Sequence, residues 1–175
     1  MALADLAAVG SCVSGVAVVV TLGFLLLQLR QANRNQRAAM QQGRSARMFA
    51  WIMRVSEPEM SALTARLFDG ETELTSTEAQ SFGSSAIGLF WHIEDSFLQH
   101  RGGTLDELSW ATDQSILRSF LRIPAFRVAW TFNRTLFSGP YRAYVDGLIE
   151  EIPPRATFNM GEIFTQRLKA EQARI

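Results

Sequence analysis

From Leu6 to Leu27 the chain runs 22 residues without a formal charge, and no other stretch limits its fold as strongly. As a helix at about 1.5 Å per residue it would be roughly 33 Å long. That matches the roughly 30 Å hydrocarbon thickness of a bilayer. Two other readings compete. A cleaved signal peptide needs a basic leading region, an apolar core of about 7–15 residues and a small-x-small cleavage site. Here the leading residues carry only Asp5, and the run ends in Phe24, Leu25, Leu26 and Leu27. Val9-Gly-Ser-Cys12 has the outline of a lipoprotein cleavage box, yet Cys12 stands in the first half of the apolar run instead of closing it. A buried helix of a soluble domain rarely needs so long an uncharged span. The expectation is a retained transmembrane helix.

The flanks set its direction. Arg30, Arg34, Arg37, Arg44 and Arg47 follow the span, and nothing basic precedes it. The positive-inside rule then places the N-terminus in the periplasm and the rest in the cytoplasm of a bacterial inner membrane. Charge divides the chain in the same way: five arginines against one aspartate up to residue 47, and twelve basic against sixteen acidic residues after it. An acidic folded part argues against nucleic acid as a partner, because phosphate binding needs its basic excess on the folded surface. A single cysteine, Cys12, excludes a disulfide framework and a cysteine metal cluster.

Four segments follow from the pattern: residues 1–29 as the transmembrane anchor, 30–55 as a basic juxtamembrane helical extension, 56–154 as a cytoplasmic helical domain and 155–175 as a C-terminal tail helix. Between Gln28 and Val55 there is no proline and one glycine, so the membrane helix should continue unbroken beyond the bilayer. Within the span, Ala4, Ala8, Ser11 and Gly15 place small side chains on one face, which lets another helix approach closely in lipid. Arg30, Arg34, Arg37 and Arg44 fall in a narrow sector of the extension, suited to anionic headgroups at about 1 kcal/mol each or to a partner. No acidic residue stands between Asp5 and Glu57, so their counter-charge must come from lipid, water or another subunit. Met48 to Met53 is apolar nearly all round, and Phe49, Trp51 and Ile52 are expected to pack on the domain or on a neighbouring chain.

Helix starts are written as capping signals. Ser56 with Glu59, Thr75 with Glu78, and Thr104 with Glu107 each have the capping-box spacing. Pro58, Pro124 and Pro140 stand where a first helical turn tolerates a missing N–H. Phe82, Ala86, Phe90, Ile93 and Phe97 recur at helical spacing along the helix that Thr75 opens. On another face of it lie Ser81, Ser84, Gly88, His92, Asp95 and Gln99. Leu108, Trp110, Ile116, Leu117, Phe120 and Leu121 form the next apolar set, and Met160, Phe164 and Leu168 line a tail helix from Thr157 onward. No run alternates with period two. The fold class is therefore all-α: an N-terminal transmembrane helix continuing into a cytoplasmic helical bundle.

Chemistry is sparsely encoded. His92 and Asp95, three apart on one helical face, are close enough for a hydrogen bond that would raise the imidazole pKa. They form the one candidate polar site, for a small molecule or an enzymatic step. There is no nucleophile elbow and no phosphate-binding loop. The pairs Glu94-Asp95, Asp106-Glu107 and Glu150-Glu151 diverge by about 100° on a helix, so capping explains them better than catalysis. No catalytic, cofactor or metal residue is assigned. Four tryptophans and twelve phenylalanines read as core rather than as a pigment or quinone site.

Leu6-Ala-Ala-Val-Gly10, Val13-Ser-Gly-Val-Ala-Val-Val-Val-Thr-Leu22, Leu27-Gln-Leu-Arg-Gln31, Trp130 and Tyr141-Arg-Ala-Tyr-Val-Asp146 together resemble an uncharacterised bacterial family of small single-pass membrane proteins with a cytoplasmic helical domain. The resemblance implies architecture and supplies no catalytic residues. The expected function is a membrane-anchored assembly protein without catalysis of its own, either a homo-oligomer or an accessory subunit of a larger membrane complex. Its partners would be membrane lipid and copies of itself or other subunits. Two alternatives stand beside it: a ligand-binding or enzymatic domain using His92 and Asp95, and a sensor of anionic lipid surfaces.

Overall fold

A computed structural model describes residues 3–155 and 159–174. Among them are seven α-helices and no strand: α1 Leu3–Val55, α2 Pro58–Phe68, α3 Ser76–Arg101, α4 Glu107–Phe120, α5 Pro124–Asn133, α6 Gly139–Glu151 and α7 Met160–Gln172. A 3-10 turn, Arg134–Leu136, follows α5. The chain is all-α, as its sequence pattern predicts. It divides into two compact units, Met1–Arg44 and Ser45–Ile175.

The first unit holds α1 as far as Arg44, and the last turns of that helix belong to the second. Its most apolar stretch has a mean hydropathy of 1.9 and none of it is buried, so this one helix is long and apolar enough to cross a membrane. Thr21 Oγ1 donates to the Ala17 carbonyl at 2.8 Å, which satisfies the hydroxyl within the helix itself. Beyond the span the helix continues without a break to Val55, since no residue there interrupts the ladder.

In the second unit α3 is the central element, with α2, α4 and α5 packed against it. The predicted stripe Phe82, Ala86, Phe90, Ile93 and Phe97 is buried, and Leu89 joins it. Phe90 meets Trp130 with ring centroids 5.1 Å apart, and Trp130 meets Tyr141 edge-on at 5.8 Å. Such aromatic pairs each add about 0.5–1.5 kcal/mol beyond burial of their area. One predicted core residue is misplaced. Leu108 is 79% exposed, because it stands in the first turn of α4 on the side away from Trp110, which the core takes instead.

The helix starts show which capping signals win. At α3, Thr75 Oγ1 accepts from Glu78 N at 3.3 Å and Glu78 Oε2 accepts from Thr75 N at 2.8 Å. Both halves of that capping box are present, and Leu74 packs against the core beside it. Pro124 stands in the first turn of α5, as expected. Ser56 does not cap α2: its N–H still bonds to the Ile52 carbonyl at 3.0 Å, so the chain has not yet left α1. The N-cap is Glu57, with Pro58 following. Nor does Thr104 open α4. Its hydroxyl donates to the Gln99 carbonyl at 3.0 Å, closing α3, while Asp106 caps α4 by accepting from Ser109 N at 2.9 Å. A threonine next to a helix end has two uses, and here termination of α3 takes it.

Arg127 joins two other helix ends. Its Nε donates to the Leu121 carbonyl at 2.6 Å and its Nη2 to the Ile152 carbonyl, the C-cap residues of α4 and α6. One cation thus answers carbonyls that have no intrahelical donor. Burial lowers its pKa.

Helix α7 begins at Asn159, whose side chain accepts from Glu162 N. Its apolar side chains Met160, Phe164 and Leu168 are exposed. The predicted tail helix exists within the described residues. Thr157 lies outside them.

The capping box makes a pH prediction. Hydrogen bonds from the Thr75 backbone and hydroxyl, and then from Arg66, lower the Glu78 pKa from 4.5 to about 2. A depressed folded pKa means that the contribution of Glu78 is complete above about pH 4.5 and is lost as the pH falls toward 2. Urea midpoints of the detergent-solubilised chain should therefore show Glu78→Gln converging on the wild type over that window. Thr75→Ala should cost about 1 kcal/mol at neutral pH.

Candidate functional site

The last turns of α1 and the first half of α3 enclose an open cleft of about 890 Å³. Trp51 fixes its width. The indole Nε1 donates to the Ser85 carbonyl at 2.8 Å, and the ring packs edge-on against Phe120 at 5.5 Å. Gly88 lies under that ring, and a Cβ there would stand 3.7 Å from Trp51 Cδ1. That is an ordinary van der Waals distance, so an alanine at position 88 would fit under the indole as well. Ser81, Ser84 and Ser85 line the cleft from α3, and Arg47 and Arg54 line it from α1.

His92 and Asp95 both line this cleft, but not as a pair. Asp95 is held by Arg47 and by Gln99 Nε2 at 2.9 Å. His92 is 7% exposed, and its Nε2 lies 3.8 Å from Oδ1 of Asp113, a buried carboxylate on α4. The expected His92–Asp95 hydrogen bond is replaced because the Arg47 guanidinium makes a charge-assisted bond to that carboxylate. Arg47 is 48 residues from Asp95, a separation that helical spacing cannot reveal. The His92 Nδ1 has no hydrogen-bond partner.

Other carboxylates serve structure. Glu94 Oε1 accepts from Ser138 N at 2.7 Å, at the N-cap of α6, where negative charge favours the helix dipole. Glu107 meets His100 Nε2 at 2.8 Å, and Glu151 takes both Nη1 and Nη2 of Arg118 at 2.9 and 3.0 Å. The sequence-adjacent acids therefore turn to different partners. Among the described residues no cluster of three His, Cys, Asp or Glu side chains could hold a metal ion. The Tyr141 hydroxyl is buried without a hydrogen-bond partner, and burial first, then Glu94, pushes its pKa well above the usual tyrosine value. Cation, hydroxyls, indoles and one imidazole suit the cleft to holding a small polar molecule. No nucleophile in it is paired with a base.

No family model, curated protein or solved structure matches this chain.

The remaining predicted residues sort by exposure. Trp51 turns inward, with Met48 and Val55 packed beside it on the core. Phe49 and Ile52 point away and are 64% and 46% exposed, with Met53 next to them. The apolar segment at the head of the domain is thus split between an inner and an outer face. Arg30, Arg34 and Arg37 are exposed and Arg44 is half-buried. Ser11 and Gly15 are exposed on α1, whereas Ala4 and Ala8 are helical with side chains outside the described set.

A second groove, of about 610 Å³, runs between α3 and α5, with Leu74, Phe82, Ile87, Val128 and Phe132 in its walls. Phe132 is 81% exposed. A signal for it was present: α5 carries Phe126, Val128, Ala129, Trp130 and Phe132, more apolar residues than one buried face can use.

Trp51 supplies the test of this geometry. Trp51→Phe keeps a ring against Phe120 and removes the bond to Ser85, so it should cost about 1 kcal/mol. Trp51→Ala should cost more and should speed proteolysis after Arg54. Equal stability of all three proteins would show that the indole does not seat α1 on α3.

Proposed function

We propose that this chain is a membrane-anchored assembly protein: α1 fastens a helical domain to the cytoplasmic face of a bacterial inner membrane, and that domain holds other polypeptides. The observation that carries the reading is the outer face at the head of the domain. Phe49, Ile52 and Met53 remain exposed although the same turns of α1 already pack Met48, Trp51 and Val55, each half-buried, against the core. A contiguous apolar face left open beside a completed core is the mark of an interaction surface. The exposed row on α7 gives the same signal a second time. The arginines after the span support the orientation, and anionic headgroups would strengthen it.

A ligand-binding role for the cleft is the second reading, favoured by the serine hydroxyls, indoles and His92 that line it. It is compatible with assembly, since a bound polar molecule would stiffen the junction that Trp51 makes.

Native mass spectrometry of the full chain, released from its membrane in polymer-bounded lipid discs, tests the first reading. Complexes heavier than one 19.6 kDa chain are expected. A population made only of single chains would overturn it.

A further inference from the structure

Two open apolar faces of the domain fit each other, and they narrow the assembly reading, on which this inference rests, to copies of this chain. One face is concave: the groove between α3 and α5. Leu67, Phe82 and Ala129 in its lining belong to the buried core, while Val128 and Phe132 stand exposed on its α5 wall. Glu71 is the one ionisable residue that lines it, so its surface calls for apolar side chains. The other face is convex: Met160, Phe164 and Leu168, exposed at i, i+4 and i+8 on α7. An amphipathic helix laid by such a row into an apolar groove is a recurrent mode of recognition between chains. The lengths agree, since Met160 to Leu168 covers about 12 Å of helix and Ala125 to Phe132 on the groove wall about 10 Å.

Three observations name the occupant. The first is that α7 buries none of its 13 residues on its own domain, although an isolated helix of that length is marginal in water. A single chain thus leaves row and groove both open, and a second copy, which brings one of each, covers both at once. The second is where α7 departs. Arg155 N donates to the Arg122 carbonyl at 2.7 Å, two residues before Pro124 of the groove wall. From Arg155 to Met160 the chain spans at most about 18 Å. Two copies related by a two-fold axis can therefore exchange their α7 helices over short links, and such swapping is a low-cost route to a dimer.

The third is charge. Asp69, Glu71 and Glu73 follow one another in the loop between α2 and α3, whose Gly70, Glu71 and Thr72 line the groove. Arg66 takes Glu71, and the carboxylates of Asp69 and Glu73 are exposed at the rim. On α7 the exposed Arg167 stands three residues after Phe164, on the flank of the apolar row. Row to groove and cation to acidic rim are satisfied by the same docking.

We propose that in a dimer of this chain each α7 lies in the α3–α5 groove of the other copy, with Met160, Phe164 and Leu168 inward and Arg167 toward Asp69 and Glu73.

Two differently tagged populations of the full chain, both in a Cys12→Ser background, are co-expressed and oxidised in native membranes to test it. Copies with Phe164→Cys should link to copies with Gly83→Cys, because Gly83 lines the groove and a Cβ there meets nothing within 4 Å. Copies with Gln166→Cys, on the opposite side of α7, should link at least tenfold less. Equal linking at 164 and 166 would overturn the proposal. So would a Gly83→Cys, Phe164→Cys double variant that closes only on itself, since α7 would then cover its own groove. A second pair needs no cysteine. Gly83→Arg fills the groove and should cut the dimer seen by native mass spectrometry at least tenfold. Gly147→Arg, at an equally open position on α6, should leave it unchanged, and neither loss of a helical glycine should weaken its helix. A dimer undiminished by Gly83→Arg would overturn the exchange. If no link forms while native mass spectrometry still finds complexes, the exchange is wrong and the assembly reading survives. If only single chains are found, both fall.

Discussion

From Val13 onward the apolar part of α1 has no cover among the described residues, and the other features of the molecule answer to that constraint. From Val13 to Leu29 its valine, leucine and phenylalanine side chains are each more than half exposed. Each would gain about 1.5–3 kcal/mol from full burial, so water is a poor surrounding for this helix. A bilayer is a good one, because the backbone bonds of a helix are satisfied internally. The helix then emerges among arginines without acids and stays helical to Val55, where Trp51 seats it on α3. Apolar rod, basic stem and acidic bundle are one covalent series, and the surfaces left open along it are the ones argued above to meet other chains.

The domain itself is held by interactions that cross the sequence. Arg127 gathers the ends of α4 and α6, Glu94 caps α6 from the middle of α3, and Trp130 Nε1 donates to Asp146 at 2.8 Å. Asp146 also takes Arg134. These polar contacts fix how the helices are arranged more narrowly than the aromatic core does, since they require particular atoms to meet.

What the sequence shows of this fold is local. The Thr75–Glu78 box, Pro124 at a helix start and the α3 stripe are legible because each depends on residues within four positions of one another. Ser56 and Thr104 mislead for an equally local reason, as each stands where one helix ends and the next begins and the ending claims it. The polar site is legible only in its membership. His92 and Asp95 do line one cleft, but their partners come from α4 and α1, through Asp113 and Arg47, and no spacing along α3 can reveal that. The groove beside Phe132 was visible only as a surplus of apolar residues on α5.

The account stands on α1 lying within a membrane, and extraction of native membranes with alkaline carbonate tests this most directly. Peripheral and soluble proteins are stripped by that treatment, whereas a chain with a spanning helix stays with the lipid. The full-length protein is expected in the pellet, released only when detergent is added. Its quantitative appearance in the supernatant without detergent would contradict the anchor and everything placed upon it.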